Sequence, residues 1–299
     1  MLVGLVLLGT AWVGWLLLSA LLSRVACRLF GLEKPNFRGD RIPASVGITF
    51  LLVCAGTYGA LVLGRPWLGA NLPSYLFRAP RFLDTAPLFL LVSVGFGLLG
   101  LLDDLWGSRE VGGFRGHLGS LARGRPTTGV VKLFGGIVLA LFAAWRLHGP
   151  LPFEAVAEDW LPRLLDAALI ALAANTLNLL DVRPGRALFG FVLLAVPTIV
   201  VLARDGSDRG GVLLGAAAAG AALEWLPDTR ARAMMGDAGS NLLGAAAGLA
   251  AAIELSVGGR VALVAVLLGL NLLAERVSLS AIIERVPWLR AVDRAMGVR

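Results

Sequence analysis

Nine apolar stretches of 17 to 22 residues run along the chain, at 1–22, 45–64, 85–102, 128–147, 164–180, 187–204, 210–226, 240–256 and 259–275, with polar segments between them. As helices, such stretches are about the length needed to cross a hydrocarbon core of roughly 30 Å. The pattern predicts an all-α polytopic membrane protein of about nine transmembrane helices, with residues 1–275 as one membrane domain and 276–299 as a cytoplasmic amphipathic tail. The first stretch lacks the basic leader and small-residue cleavage site of a removable signal, so it is expected to remain as a span. In the tail, Leu279, Ile282, Ile283, Val286, Leu289 and Val292 recur at roughly helical spacing, with arginines on the other side. This predicts an interfacial helix kinked near Pro287, with no tenth span after it.

Composition agrees with that setting: 57% of the 299 residues are hydrophobic and 16% charged, with a mean hydropathy of +0.79, outside the balance of a soluble domain. No internal repeat, low-complexity tract or long linker divides the chain. Cys27 and Cys54 fall in or beside spans and read as small core residues. With the N-terminus outside, the segments around 24–41, 109–132, 183–186, 230–232 and 276–299 face the cytoplasm and hold 19 of the 27 Lys and Arg residues. The expected location is thus the plasma membrane, multi-pass, with a cytoplasmic C-terminus. The net charge of +7 follows from this bias and needs no nucleic-acid partner.

That topology places the unusual polar groups on one side. Asp103 and Asp104 end the third stretch in LLDD, Asn175, Asn178 and Asp181 end the fifth in NTLNLLD, and Asp237 and Ser240 open the eighth in MGDAGS. Steps of three residues keep Asn175, Asn178 and Asp181 along one shallow stripe of a helix. Each group also fits a structural role: solvated acids at the headgroup boundary, hydrogen-bonding residues between helices, or an N-cap at Asp237. Four carboxylates at one membrane face are costly, however, and point to a cytoplasm-facing active-site cleft. Like charges gathered there call for a cation. All-oxygen donors without nearby His or Cys favour Mg²⁺, or Mn²⁺, over zinc, and Mg²⁺ commonly combines one or two carboxylates with substrate phosphates. Lys34, Arg38, Arg41, Lys132, Arg183 and Arg186 lie near the acids and suit phosphate oxygens. Lys132 is the most specific of them, because it sits inside a span. The Gly-flanked start of the eighth stretch adds free backbone N–H groups. Acids, metal, phosphate-binding groups and lipid-facing helices together suggest phosphoryl transfer onto a lipid.

KPNFRGDRIPASVG at 34–47, LLDD at 101–104, TTGVVKL at 127–133, NTLNLLD at 175–181 and MGDAGS at 235–240, in that order, resemble the motifs of the polyprenyl-phosphate N-acetylhexosamine-1-phosphate transferases. This is the glycosyltransferase 4 family, related to phospho-N-acetylmuramoyl-pentapeptide transferase. The resemblance implies transfer of a sugar 1-phosphate from a UDP-sugar to polyprenyl (undecaprenyl) phosphate, with Mg²⁺ and release of UMP. It implies Asp237 and Asp104 at the metal, Asp103 and Asp104 beside the lipid phosphate, and Asp103 as the position often assigned as base. It further implies Asn178 and Asp181 toward the nucleotide and Lys132 on a phosphate. Asn175, Arg183, Arg186, Lys34, Arg38 and Ser240 complete the expected substrate-binding set. Relatives are often dimers, so a homodimer is expected, although no surface specifies it.

The chain also departs from the family pattern. DVRPGRA replaces the usual DGxDGLA, so Val182 and Pro184 stand where a glycine and a second aspartate are usual. Met234 replaces an aromatic, Pro227 an asparagine, and the histidine-rich loop is missing, the only histidines being His117 and His148. Groups expected at metal and phosphate are kept, whereas those expected to read uridine and sugar are altered. Three classes follow: a divergent transferase of cell-envelope glycan synthesis, a non-catalytic polyprenyl-phosphate-binding or regulatory relative, and an ion-coupled transporter. The gathering of the acids at one face rather than at mid-bilayer argues against the last.

Overall fold

A computed structural model describes residues 2–36, 38–71, 82–107, 120, 127–149, 157–206 and 209–298. Arg109, Arg115, His117, Arg123 and Arg125 lie outside the described residues. Among the described residues, nine long helices follow one another in the expected order: α1 Leu2–Leu29, α2 Gly47–Asn71, α3 Phe82–Trp106, α4 Thr128–His148, α5 Ala157–Leu180, α6 Arg186–Asp205, α7 Gly211–Thr229, α8 Gly236–Glu254 and α9 Val257–Ala274. Seven of them are long and apolar enough to cross a membrane. The other two, α7 and α8, were expected as spans but are diluted by alanine and glycine and carry Glu224, Asp228, Asp237 and Glu254. The protein is a multi-pass, all-α membrane protein with one small exception. Residues Glu33–Pro35 (β1) and Arg41–Pro43 (β2) pair antiparallel, with Lys34 opposite Ile42, a hairpin that the apolar pattern does not reveal.

The centre of the bundle is α8, which packs against α2, α3, α5 and α6. Every residue from Ala238 to Ala252 is buried, as expected of a helix with protein on all sides. Small residues make this possible, because close packing of backbones replaces the hydrophobic driving force that lipid cannot supply. A Cβ at Gly244 would lie 2.5 Å from the Ala173 carbonyl oxygen of α5, one at Gly100 of α3 would lie 2.1 Å from the Asp237 carbonyl, and one at Gly47 of α2 would lie 2.1 Å from the Gly239 nitrogen. Three neighbouring helices therefore touch α8 backbone to backbone.

The periphery is held by polar contacts between helices. Arg24 of α1 meets both carboxylate oxygens of Glu224 in α7, at 3.1 and 2.9 Å, and Thr49 of α2 donates to the same carboxylate at 2.8 Å. Glu224 is only 1% exposed, so these partners are what make its charge tolerable there. In the tail, α10 (Leu279–Arg285) and α11 (Pro287–Met296) are separated at Val286, with Pro287 opening the second helix. The expected kink is therefore a full break. Both pieces dock on the bundle: Arg186 meets Ser280 of α10 and Asp293 of α11, and the Val298 N–H donates to the Thr229 carbonyl.

Gly244→Ala is expected to force α5 and α8 apart and cost about 1–3 kcal/mol. Gly215→Ala, whose Cβ meets open space in α7, is expected to be neutral or to stabilise by up to about 1 kcal/mol. Thermal unfolding of the two variants in detergent measures the difference.

Candidate active site

Consecutive residues on a helix diverge by about 100°, and this separates the adjacent acids at the end of α3. Asp103 turns toward α4, where it accepts hydrogen bonds from the Thr128 hydroxyl and, at 3.1 Å, from Lys132 Nζ. Thr128 and Lys132 are four residues apart on α4 and therefore share a face. Asp104 turns toward the start of α8. Its Oδ1 accepts from the Asp237 N–H at 3.0 Å, and its Oδ2 from the Ala238 N–H at 3.1 Å and the Ser45 hydroxyl at 2.5 Å. This carboxylate caps the α8 N-terminus from another helix, where free N–H groups and the positive dipole end stabilise a negative charge.

The turn that receives Asp104 requires glycine. Gly236 has φ +71°, and a Cβ there would lie 2.7 Å from Asp104 Oδ2 and 2.8 Å from the Ala44 carbonyl. The preceding segment is held against the hairpin side: the Met234 N–H donates to the Pro43 carbonyl, and the Val46 and Gly47 N–H groups donate to the Met234 and Met235 carbonyls.

Asp237 then projects into the cluster. Its Oδ2 accepts from Lys132 Nζ and, at 3.0 Å, from the Asn178 amide of α5. The Lys132 ammonium thus bridges Asp103 and Asp237. The three side chains remain 21%, 21% and 28% exposed, so the cluster opens outward rather than lying sealed in the core. Asp181, the first residue after α5, stands behind it. Burial raises its carboxyl well above the usual aspartate range, the Asp228, Asp237 and Asp104 charges push the same way, and a hydrogen bond from the Gly236 backbone opposes them.

The structure therefore brings Asp103, Lys132, Asn178 and Asp237 together, with Asp104 and Asp181 adjoining. It directs other expected residues elsewhere. Asp104 meets backbone and hydroxyl donors rather than sharing an open site with Asp237, so their pairing as metal ligands does not follow from the geometry. Asn175 donates to Asn271 of α9, whose amide donates to Thr176 at 2.8 Å, a link between helices. Ser240 is buried and donates back to the Gly236 carbonyl. Arg186 is buried against Asp293 and Ser280, and Arg183 pairs with Glu284, so both bind the tail. Lys34 lies within β1, and Arg38 lies in the hairpin turn. Thr128, Ser45 and Asp228, whose carboxylate accepts from the Gly185 N–H at 2.7 Å, were not singled out. Only Thr128 carried a signal, its position one helical turn before Lys132.

Two substitutions check these assignments. Asp104→Asn sets an amide NH₂ against backbone donors and is expected to cost about 1–3 kcal/mol in thermal unfolding. For Asp181 the folded chain favours the protonated acid, so its contribution to stability is fully present below the unfolded pKa and is lost as pH rises through the raised folded value. Asp181→Asn removes that loss. Its melting temperature is expected to exceed that of the wild type by about 2–4 °C near pH 8, with the advantage gone below about pH 4.

The sequence model described as glycosyl transferase family 4 matches residues 86–255, a range that contains Asp103, Asp104, Lys132, Asn178, Asp181 and Asp237. The chain is also similar to the phospho-N-acetylmuramoyl-pentapeptide-transferase of Bacillus licheniformis, with 29% identity over 197 residues, 62% of this chain and 53% of the relative. It spans about half the length of that curated relative. Because the match takes in more than half of its residues and all of the acidic cluster, the chain belongs to glycosyl transferase family 4.

Proposed function

We propose that the protein transfers a sugar 1-phosphate, of the N-acetylhexosamine type, from a UDP-sugar to polyprenyl (undecaprenyl) phosphate at the cytoplasmic membrane face. A phosphate oxygen of the lipid would attack the β-phosphorus of the donor. The bond from that phosphorus to the bridging oxygen breaks, and UMP leaves with the electron pair. The observation that carries this reading is the convergence of Asp103, Asp237, Lys132 and Asn178 at one end of an apolar bundle. Family membership supports the general kind of enzyme.

A magnesium or manganese ion fits the donor set in one particular way. Among the described residues, no three His, Cys, Asp or Glu side chains group closely enough to hold a metal alone. Mg²⁺ needs only one or two carboxylates when phosphate and water supply the rest, and Asp237 and Asp103 offer these on the exposed side. Lys132 lies between them, where positive charge is already favoured. Bound there, the ion would neutralise charge developing on the phosphate oxygens.

The chain's own groups have distinct tasks. Lys132 supplies a cation for phosphate oxygens, while Thr128 and Asn178 hold the two carboxylates in orientation. Asp104 and Ser45 anchor the helix start that presents Asp237. A general base is not required, because the second pKa of a phosphate monoester is near about 6 and the acceptor is already ionised at neutral pH. Alignment and charge stabilisation then account for the catalysis.

A second reading, a non-catalytic binder of polyprenyl phosphate, is favoured by one observation. Arg183 and Arg186, the cations nearest to Asp181 in sequence, are engaged by Glu284 and Asp293 and are not free to replace the altered nucleotide-reading positions. One assay separates the two readings. Purified protein with undecaprenyl phosphate, Mg²⁺ and a panel of nucleotide-sugars is expected to release UMP and form lipid-linked sugar, and Asp237→Ala is expected to lower both by about 100-fold or more. Wild type that retains the lipid but turns over no donor selects the second reading, and wild type that does neither refutes both.

A further inference from the structure

Asp84 opens α3 and Asp103 lies near its end, about 28 Å apart along the helix axis. At the Asp84 end, opposite the acidic cluster, is a cavity of about 850 Å³ whose walls include Arg65, Arg146, Arg209 and Arg260. On the topology set out above this is the face expected to carry fewer cations, yet four arginines gather here.

Their charges are only partly matched. Arg65 pairs with Asp84 at the mouth, where both are more than half exposed. Arg260 Nη1 lies 2.7 and 2.9 Å from the Asp166 oxygens, and His148 Nε2 lies 2.8 Å from the same carboxylate. Arg260 Nε is buried without a hydrogen-bond partner. The Arg163 guanidinium is directed to the His148 and Gly149 carbonyls, and the Glu254 carboxylate is directed to the Gly210 and Gly211 N–H groups. Among the described residues, the side chains of Arg146 and Arg209 form no hydrogen bond or ion pair. Among the described residues, four lining guanidinium groups thus stand against two lining carboxylates, Asp84 and Asp166, an excess of positive charge.

The other walls are apolar. Leu91 of α3 and Phe142 of α4 line the cavity and are also 40% and 50% exposed on the bundle surface, which in a membrane is the lipid-facing side. A ligand can therefore place an anionic head among the arginines and a hydrocarbon chain along these side chains. The volume lies within the range of small-molecule sites, roughly 300–1,000 Å³. Guanidinium forks match phosphate oxygens in both charge and geometry.

We propose that this cavity binds the phosphate headgroup of an anionic membrane lipid, with Arg146, Arg209 and Arg260 on the phosphate oxygens and an acyl chain along Leu91 and Phe142. The site is separate from the acidic cluster and does not depend on the transfer reaction.

The test compares the full chain, an Arg146→Gln, Arg209→Gln double variant, and Arg204→Gln as a control outside the cavity. Each is delipidated and titrated with phosphatidylglycerol, with phosphatidylcholine as the zwitterionic comparison and inorganic phosphate as competitor, and bound lipid is read by native mass spectrometry. Wild type and Arg204→Gln are expected to retain phosphatidylglycerol over phosphatidylcholine. The double variant is expected to bind it about tenfold more weakly, and millimolar phosphate is expected not to displace it. If the double variant melts lower in phosphatidylcholine, the single variants replace it, each expected to weaken retention about threefold. Unchanged retention in the arginine variants, or equal retention of the two lipids, overturns the proposal. Displacement by inorganic phosphate also overturns it, by assigning the cavity to a free anion.

Discussion

The acidic site depends on one carboxylate that has no need to touch a substrate. Asp104 of α3 accepts both N–H groups at the start of α8 and the Ser45 hydroxyl next to α2. Three segments distant in sequence are thereby tied to a single side chain. Among the described residues, its oxygens are met by the free donors of a helix end and a hydroxyl rather than by a cation. This also explains how two neighbouring aspartates coexist: one is stabilised by α8, and the other by Lys132 and Thr128 of α4. Because the anchored residues are the ones that carry Asp237 into place, the stability of the bundle and the geometry of the site rest on the same contact.

The second constraint is steric. A central helix of alanine and glycine gains little from hydrophobic transfer in lipid, but it lets α2, α3 and α5 approach to backbone distance. The site residues arrive from the ends of α3, α4, α5 and α8, and such tight contacts leave those ends little freedom to shift relative to one another. The rigidity that holds Asp237 within reach of Asn178 and Lys132 is therefore inherited from packing one to two turns deeper in the membrane.

The sequence made the helices legible because apolar length is a direct demand of the bilayer: among the described residues nine stretches became nine long helices, seven of them apolar enough to cross. It was less informative where contacts cross between helices. Lys132 stood out because a charge inside a span needs a reason, and its neighbours Asp103 and Asp237 supply one. The division of labour between Asp103 and Asp104 was not legible, since it depends on a 100° difference in direction at the end of one helix. Arg186 shows the converse: its charge suggested a phosphate contact, but its partner is Asp293, more than a hundred positions away. Asn175 was equally ambiguous, and the bland alternative of hydrogen bonding between helices describes its contact with Asn271. The hairpin at 33–43 escaped notice because two three-residue strands leave almost no periodicity.

The docked tail also bears on how the protein is made. Ser280, Glu284 and Asp293 follow α1 to α9 in sequence, yet they hold the arginines of the loop immediately after Asp181. Synthesis runs from the N-terminus, so the seven membrane-spanning helices can all enter the bilayer while that loop still lacks its partners. Its final shape must wait until the ribosome has passed residue 293. Maturation of the loop after Asp181 is consequently a late, post-insertion event, decoupled from the threading of the spans themselves.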